Sequence, residues 1–305
     1  MDNENILKII KQVSNEEITP KEAVKQSENV SQHISDLKSE LRVYVRNTGL
    51  KTLDKYKVFK KNIPELVVIG ARPGTGKSAM MLQIAEYISR TENVLFFNIE
   101  MRPITLWQRI ARMLAKKDIE RIDADQELQR QIKTEMDKLK FRVINGATSI
   151  SDIYTKARQV NKHYSLGLIV VDYIQIIPTQ SGRTRTEEIK HIVSELRKLS
   201  EELNCTILTA SQLNRNTASR GRSNGRGYGD FTPGLEDLAE SDSIGKDADV
   251  VFFLNRENID THILRNETDI VISKNRAGKI GKDQLLFSEI QTRFYDVENK
   301  PGDWA

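Results

Sequence analysis

The segment ARPGTGKS, residues 71–78, combines two glycines, a lysine and a serine at the spacing of a phosphate-binding loop. Gly74 and Gly76 permit the backbone to curl so that its N–H groups point at phosphate oxygens. Lys77 can reach the terminal phosphates of a nucleoside triphosphate, and the Ser78 hydroxyl can bind its magnesium ion. An apolar strand pattern precedes the loop and a helical pattern follows it, so a helix N-terminus would face the same anion.

One position of this loop departs from the general consensus GxxxxGK[ST], because residue 71 is Ala rather than Gly. A Gly-rich turn with a chance GKS is therefore the competing interpretation. The strand and helix patterns on either side favour phosphate binding. The residues that we predict to bind the nucleotide in this loop are Ala71, Arg72, Pro73, Gly74, Thr75, Gly76, Lys77, Ser78 and Ala79.

Two further apolar strand patterns end in a carboxylate. The run LIVVD ends in Asp172, the pattern of an acid that binds magnesium opposite the loop serine. The run NVLFFNIE ends in Glu100, which we predict to orient and deprotonate an attacking water. A turn cap at Asp172 and a solvated strand end at Glu100 are the ordinary alternatives. The phosphate loop favours the catalytic interpretation, because parallel strands bring their carboxyl ends to one edge of a sheet.

Polar side chains also follow two later strand patterns. Gln212 ends the run TILTASQ, where its amide could sense the terminal phosphate and relay its loss to nearby loops. A turn or cap is the rival interpretation. Lys274 and Arg276 flank one residue of a predicted hairpin, so strand alternation can turn both to the same side. Such a pair could reach a phosphate bound by a neighbouring subunit, whereas a solvated, charged hairpin is the alternative.

A sheet must hold these groups, and its strands are visible as recurring apolar runs. The earlier runs alternate with helical patterns, which predicts an α/β fold with a mostly parallel sheet flanked by helices. The last two runs, joined by a turn-rich segment, predict a C-terminal antiparallel hairpin. We predict a short helical N-terminal extension over 1–48, one α/β domain over 49–298 and a polar tail over 299–305. The runs are 66–70, 94–99, 141–144, 167–172, 205–210, 249–254, 269–273 and 284–288.

Bulk composition excludes several other classes of protein. A formal net charge of +4 with 30% charged residues neither requires nor excludes nucleic acid as a partner. The single cysteine, Cys205, cannot form an intramolecular disulfide, and its apolar surroundings in the sequence predict a buried structural thiol. No apolar run approaches the roughly 20 residues of a membrane span. The N-terminus lacks the pattern of a signal peptide, so we expect a cytoplasmic protein without a membrane partner.

Together these motifs resemble the C-terminal motor domain of DnaB-family replicative helicases, a RecA-like P-loop NTPase, over roughly residues 48–297. The family also uses alanine at the first loop position, so Ala71 supports the resemblance. The resemblance implies an ATP-driven, ring-shaped DNA helicase that moves 5′ to 3′ on single-stranded DNA in DNA replication. The segments that carry it are ARPGTGKS, FFNIEM, LIVVDYIQII, TASQLNR, LEDLAESDSIGKDADVVFFLNRE and VISKNRAGKIG.

The same resemblance implies roles for residues within one subunit. Lys77 and Ser78 would bind the phosphates and Mg²⁺, and Asp172 would be the second magnesium-binding group. Glu100 would be the catalytic base. Arg109 matches a family arginine that lies near the nucleotide.

Further implied roles concern neighbouring subunits. The resemblance implies a homo-oligomer, a hexameric ring with ATP between subunits, in which Lys274 and Arg276 act on the ATP of the neighbour. Gln212 would couple the nucleotide to DNA. Residues 1–14 would be a linker helix that packs on the adjacent subunit, and a helicase loader would be a further partner.

Two departures from the family pattern bear on function. Only about 48 residues precede the predicted motor, so we expect the family's larger N-terminal, primase-binding domain to be absent. In the segment that resembles the family's DNA-contacting loop, Ala239 stands where the family usually has Arg and Asp242 where it usually has Gly. These changes remove one cation and add one anion, which should weaken phosphate contact. The residues that we predict to contact DNA are Arg183, Arg185, Glu240, Ser241, Asp242 and Lys246.

Three functions therefore remain open from the sequence. The first is the ring-shaped helicase. The second is a DnaB-like, DNA-binding ATPase that serves as an accessory factor in replication or recombination and does not unwind DNA by itself. The third, a module that binds nucleotide only for assembly, is disfavoured by the intact set of Lys77, Glu100, Asp172 and Arg276.

Overall fold

Nine β-strands form one sheet in the part of the chain that the structure describes. The structure is a computed structural model, and it describes residues 45–147, 149–178, 184–214, 232–238, 241–256 and 266–299. The strands are β1 (Glu65–Ala71), β2 (Asn93–Asn98), β3 (Phe141–Asn145), β4 (Leu166–Asp172), β5 (Thr206–Gln212), β6 (Val250–Asn255), β7 (Glu267–Asn275), β8 (Gly281–Ser288) and β9 (Arg293–Asp296).

The sheet has a parallel part and an antiparallel part. Its strand order is β3-β2-β4-β5-β1-β6-β7-β8-β9, and the six strands from β3 to β6 pair in parallel. The three C-terminal strands continue the sheet in antiparallel pairs. The predicted α/β fold and the predicted C-terminal hairpin are thus confirmed. The sequence did not reveal β9, a four-residue strand after a short turn.

Helices cover both faces of this sheet. The short α1 precedes β1, and α2 to α8 lie between consecutive strands from β1 to β6. Their bounds are α1 Lys51–Asp54, α2 Lys77–Ser89, α3 Pro103–Ala115, α4 Ile119–Asp123, α5 Gln126–Lys138, α6 Ile150–His163, α7 Arg185–Leu203 and α8 Ser241–Asp247. No helix within the described ranges combines the length and apolar character needed to span a bilayer.

The central strand β1 is buried on both faces, as its continuous apolar sequence predicts. Val67 and Ile69 belong to the core that α2 and α3 cover. Leu66 and Val68 belong to the core on the opposite face, under α6 and α7. Cys205, just before β5, is buried in this second core, and burial raises the pKa of its thiol to about 12. The prediction of a structural thiol is confirmed.

A buried glutamine joins α2 to the strand that the sequence did not reveal. The Gln83 side chain donates from Nε2 to the Phe294 carbonyl at 3.0 Å, and its Oε1 accepts from the Phe294 N–H at 2.7 Å. Gln83 is only 1% exposed. One amide side chain therefore satisfies both backbone groups of one residue, and this fixes β9 beneath the helix that begins at Lys77.

We expect Gln83→Leu to lower the free energy of unfolding by about 2–4 kcal/mol, because it leaves a buried N–H and a buried carbonyl without partners. Chemical denaturation of both proteins measures this change. Gln131→Leu, a like substitution at an exposed position of α5, should change stability by no more than about 0.5 kcal/mol. Equal stability of Gln83→Leu and wild type would contradict the assigned role of this side chain.

Residues 1–44 of the predicted N-terminal extension, with its linker helix at residues 1–14, lie outside the described residues, as does most of the predicted tail. The predicted boundary between residues 48 and 49 stays a prediction.

Candidate functional site

The loop between β1 and α2 has the curled backbone that its glycines predict. Gly74 has φ +80° and Gly76 has φ +100°, in the left-handed region that L side chains rarely adopt. A Cβ at Gly76 would also lie 2.9 Å from Phe294 Cζ, so glycine is required there for space as well as for conformation. Thr75 is buried, and its backbone N–H and hydroxyl both donate to the Arg72 carbonyl.

The first turn of α2 opens towards this loop without a side-chain cap. Its N-cap residue is Gly76, and no side chain accepts a hydrogen bond from the first turn there. A helix N-terminus has N–H groups without intrahelical partners, and its dipole favours an anion. The segment 71–78 thus combines a curled backbone, an uncapped helix N-terminus and Lys77 at one place, which is the arrangement that binds phosphate groups.

A cavity of about 520 Å³ lies over this loop. It brings together most of the residues predicted from the sequence: Pro73, Gly74, Gly76, Lys77, Ser78, Ala79, Glu100 and Arg109. Five lining residues had no sequence signal that set them apart: Met101, Arg112, Phe287, Glu289 and Thr292. The last three come from β8 and the turn before β9, so only the folded sheet brings them to the loop.

Lys77 extends over the aromatic ring of Tyr173, with its Nζ 4.3 Å from the ring centroid. It forms no ion pair with another residue of the described ranges. Its ammonium group is therefore placed at the cavity and remains available for an anionic ligand.

Asp172, the last residue of β4, is fully buried beside this cavity. Within the described residues, neither of its carboxylate oxygens has a partner of hydrogen-bond geometry. Burial raises the pKa of Asp172 to about 6, and the charge of Glu100 adds to this rise. Ser78, Lys77 and Arg109 lower the pKa only in part. A buried carboxylate without a partner, near a serine hydroxyl, fits the oxygen ligands that Mg²⁺ prefers.

We expect Asp172→Asn to stabilise the metal-free protein at pH 8 by up to about 3 kcal/mol. Folding raises the pKa of the Asp172 carboxyl from 3.8 to about 6, and this rise costs that much free energy of folding once the carboxyl is ionised. The raised pKa means that this cost is absent at low pH, grows as the pH rises from 4 to 6 and is complete above that range. The gain of the variant should therefore shrink as the pH falls towards 4.

Denaturation with EDTA at several pH values measures this difference. Asp137→Asn, at an exposed position of α5, is the matched control and should leave stability nearly unchanged. A destabilised Asp172→Asn protein at pH 8 would contradict the prediction.

Glu100 stands in a turn that follows β2, and Asn98 shapes that turn. The Asn98 side chain donates to the Met101 carbonyl at 2.8 Å and accepts from the Met101 N–H at 3.2 Å. It also donates to Asn145 Oδ1 at 2.8 Å, which joins the turn to β3. Because Asn98 pairs with Asp172 across β2 and β4, the turn brings the exposed Glu100 to the side of the buried acid.

Arg109 on α3 completes this group of charges. Burial lowers the pKa of its guanidinium, while the charges of Asp172 and Glu100 raise it. Arg112 lies one helical turn further and also lines the cavity, and its Nε has no hydrogen-bond partner among the described residues. Two arginines of α3 therefore line the cavity over the phosphate loop.

Gln212 lies next to the phosphate loop but does not line the cavity. It is the last residue of β5 and pairs with Ala71, the first residue of the loop segment. Its predicted coupling role therefore stays a prediction.

Lys274 and Arg276 lie away from this cavity, at the end of α8. Lys274 Nζ donates to the carbonyls of Gly245 and Lys246 at 2.7 and 3.1 Å. Arg276 donates to the Lys246 carbonyl at 2.8 Å and to Asp249 Oδ1 at 3.1 Å. The two cations thus face the same side, as strand alternation predicts. Neither residue lines the cavity of the same subunit, and a role at a neighbour's site stays a prediction.

The residues predicted to contact DNA are described only in part. Arg183, Glu240 and the substituted Ala239 lie outside the described residues, and of Ser241 and Asp242 only the backbone at the start of α8 is described. Lys246 is exposed in the last turn of α8. Arg185 is exposed at the start of α7, where it pairs with Glu188 at 2.9 Å and donates to the Gln175 carbonyl.

A protein family matches most of the chain. The family described as DnaB-like helicase C terminal domain matches residues 46–296. Among curated relatives, the replicative DNA helicase DnaB of Geobacillus stearothermophilus is 32% identical over 274 residues, which cover 83% of this chain and 57% of that protein. The replicative DNA helicase DnaC of Bacillus subtilis is 32% identical over 277 residues, which cover 84% and 57%. The chain thus spans little more than half the length of these relatives.

Solved structures share the fold. The structure of a DnaB-like replicative helicase, solved with its interactions with primase, superposes with a TM-score of 0.73 at 23% identity. The superposition covers 96% of this chain and 75% of that one. At this identity the likeness bears on the fold alone, and it agrees with the parallel sheet flanked by helices.

Proposed function

Since the chain belongs to the family of DnaB-like helicase C-terminal domains, we propose that it is the ATP-hydrolysing motor of a helicase that moves along single-stranded DNA during replication. The observation that carries this proposal is the cavity over the loop 71–78. It combines an uncapped helix N-terminus, a lysine without an ion pair among the described residues, an exposed carboxylate and two arginines.

Phosphate binding would follow from the loop and α2. The backbone N–H groups around Gly74 and Gly76 would surround the phosphates, and Lys77 would neutralise the terminal ones. Ser78 and Asp172 would hold Mg²⁺, which when bound neutralises charge that develops on the phosphate oxygens. The unpartnered oxygens of Asp172 support this assignment.

Hydrolysis requires a base beside the terminal phosphate, and Glu100 would provide it. A water oxygen would attack the terminal phosphorus, the bond from that phosphorus to the oxygen of ADP would break, and the water proton would pass to the Glu100 carboxylate. Arg109 and Arg112 would stabilise negative charge from the α3 side of the cavity. Arg276 of a neighbouring subunit would supply a further cation.

One apolar groove offers a surface that association with another protein chain would bury. It is a cavity of about 660 Å³ between α3, α4, α5 and β3. Ile104 and Trp107 on its rim are 60% and 38% exposed, which is high for side chains of this size. In the proposed oligomer, a neighbouring chain placed on this groove would remove these side chains from water.

Three measurements on the purified chain test the proposed function. We expect ATP hydrolysis that single-stranded DNA stimulates, a mass several times that of one chain in the presence of ATP, and strand displacement from a forked duplex. Absence of ATP hydrolysis would overturn the proposal. Stimulated hydrolysis without strand displacement would instead favour the accessory ATPase, which the residues Ala239 and Asp242 suggest.

A further inference from the structure

The carboxyl end of β5 lies where three functional segments meet. Main-chain pairing between β4 and β5 ends at Val171 and Thr209, but β5 runs on to Gln212. On the side of β1, Gln212 pairs with Ala71 of the phosphate loop. Any displacement of this strand end therefore reaches the loop directly.

On the side of β4, one side chain replaces the missing main-chain pairing. Gln175 lies in the single 3₁₀ turn that follows Asp172, and its Nε2 donates to Ser211 Oγ at 2.8 Å. Its Oε1 accepts from the Gln212 N–H at 3.3 Å. The side chain is partly buried, so both of its hydrogen bonds lie in a region of reduced water access.

The backbone of the same residue contacts a residue that we predict to bind DNA. The carbonyl of Gln175 accepts from the guanidinium of Arg185, at the start of α7. Arg185 is about 40% exposed, so a nucleic-acid phosphate can approach it. Gln175 thus contacts Arg185 through its carbonyl and the end of β5 through its side chain.

The residues after Gln212 lead towards the second predicted DNA segment. The Asn214 N–H donates to the Asp237 carbonyl at 2.9 Å, and Leu213 forms an antiparallel bridge with Leu238. Residue 238 precedes α8, which carries Lys246. Both predicted DNA segments are therefore joined to the two ends of the same short stretch, residues 211–214.

We propose that Gln175 is a positioning residue that couples DNA contact at Arg185 to the nucleotide site, through Ser211 and Gln212. This inference rests on the proposed function. When a phosphate of DNA draws Arg185 away, the 3₁₀ turn that carries Gln175 moves with it. The two hydrogen bonds of the Gln175 amide transfer that shift to the end of β5, and Gln212 transfers it to Ala71.

Gln175→Leu tests this coupling, because leucine keeps much of the volume and removes both hydrogen bonds. We expect kcat for ATP hydrolysis without DNA, and KM for ATP, to stay within about twofold of wild type. Stimulation by single-stranded DNA should fall at least fivefold. Gln284→Leu is the matched control, since Gln284 is an exposed residue of β8 that contacts Asp269, and it should keep full stimulation.

Two further variants separate coupling from a merely structural role. Gln175→Glu should retain most of the stimulation, because its carboxylate can still accept from the Gln212 N–H and from the Ser211 hydroxyl. Ser211→Ala should reduce the stimulation, and combining it with Gln175→Leu should cause little further loss. Independent sites would give additive effects, whereas residues of one hydrogen-bonded path do not.

The outcomes distinguish this inference from the proposed function. A wild-type protein that does not hydrolyse ATP would overturn both, and wild-type hydrolysis that DNA does not stimulate would overturn the coupling role. Wild-type stimulation in Gln175→Leu, or an equal loss of hydrolysis with and without DNA, would overturn the coupling role alone. Selective loss of stimulation, with rescue by Gln175→Glu, would support it.

Discussion

Glu100→Gln is expected to lower kcat for ATP hydrolysis by about 10²–10⁴-fold, while ATP binding stays within a fewfold of wild type. Glutamine keeps the size of the side chain and its hydrogen-bonding oxygen, but it cannot take the proton of the attacking water. The turn that carries it should remain in place, because Asn98 holds this turn through Met101. Phosphate release and the fluorescence of a labelled ATP measure the two quantities separately.

A matched substitution controls for the loss of one negative charge. Glu120→Gln, at an exposed position of α4, should leave both kcat and ATP binding unchanged. If Glu100→Gln weakened ATP binding as much as it lowered kcat, Glu100 would be a binding residue. If it changed neither, the catalytic base would be another group.

Arg276→Ala is expected to lower kcat by about 10³–10⁵-fold, the usual effect of losing an arginine that reaches the terminal phosphate of a neighbouring subunit. In the same subunit, Arg276 contacts Asp249 and the carbonyl of Lys246 and does not line the nucleotide cavity. Its side chain is about half exposed, and the buried Asp249 keeps Arg197 and the Leu66 N–H as partners in the variant, so the loss of stability should be small compared with the loss of kcat.

Mixing variants distinguishes action on the neighbour from action within one subunit. Lys77→Ala subunits keep Arg276 but cannot bind the phosphates properly, and Arg276→Ala subunits have the opposite defect. If the subunits assemble as proposed, mixtures of the two variants should regain part of the hydrolysis, because some interfaces then combine an intact loop with an intact arginine. Absence of any recovery would contradict a role at the neighbour's site.

Lys282→Ala is the matched control for this experiment. Lys282 pairs with Asp269 on the same hairpin at 2.8 Å and is similarly exposed. Its loss removes a cation and an ion pair without touching the proposed site, so hydrolysis should stay close to that of wild type. A large loss in this control would mean that the hairpin charges act through stability or assembly.

The sequence predicted the fold well because hydrophobic patterning determines most of it. The continuous apolar runs at β1 and β4 are typical of strands buried on both faces, and both are central strands. The sequence did not predict β9, because a strand of four residues shows too little periodicity. Its position also depends on the Gln83 side chain of α2, which lies far away in the sequence.

The candidate site was predictable where its chemistry is local. Gly74, Gly76, Lys77 and Ser78 lie in one segment, so their joint presence could be read directly. Glu289 and Thr292 reach the cavity only through the folding of β8 and β9, and no short motif marks them. The raised pKa of Asp172 depends on how deeply its carboxyl is buried, and only the folded structure determines that depth.

The burial of the Cys205 thiol has a practical consequence for fluorescent labelling of this protein. It is the only cysteine of the chain, it is about 1% exposed, and burial keeps its thiol protonated at neutral pH. Maleimide dyes react with exposed thiolates and should not react with Cys205 in the folded protein. A cysteine introduced at a chosen surface position would therefore be labelled alone, and single-molecule fluorescence could be recorded on a chain whose own thiol is left in place.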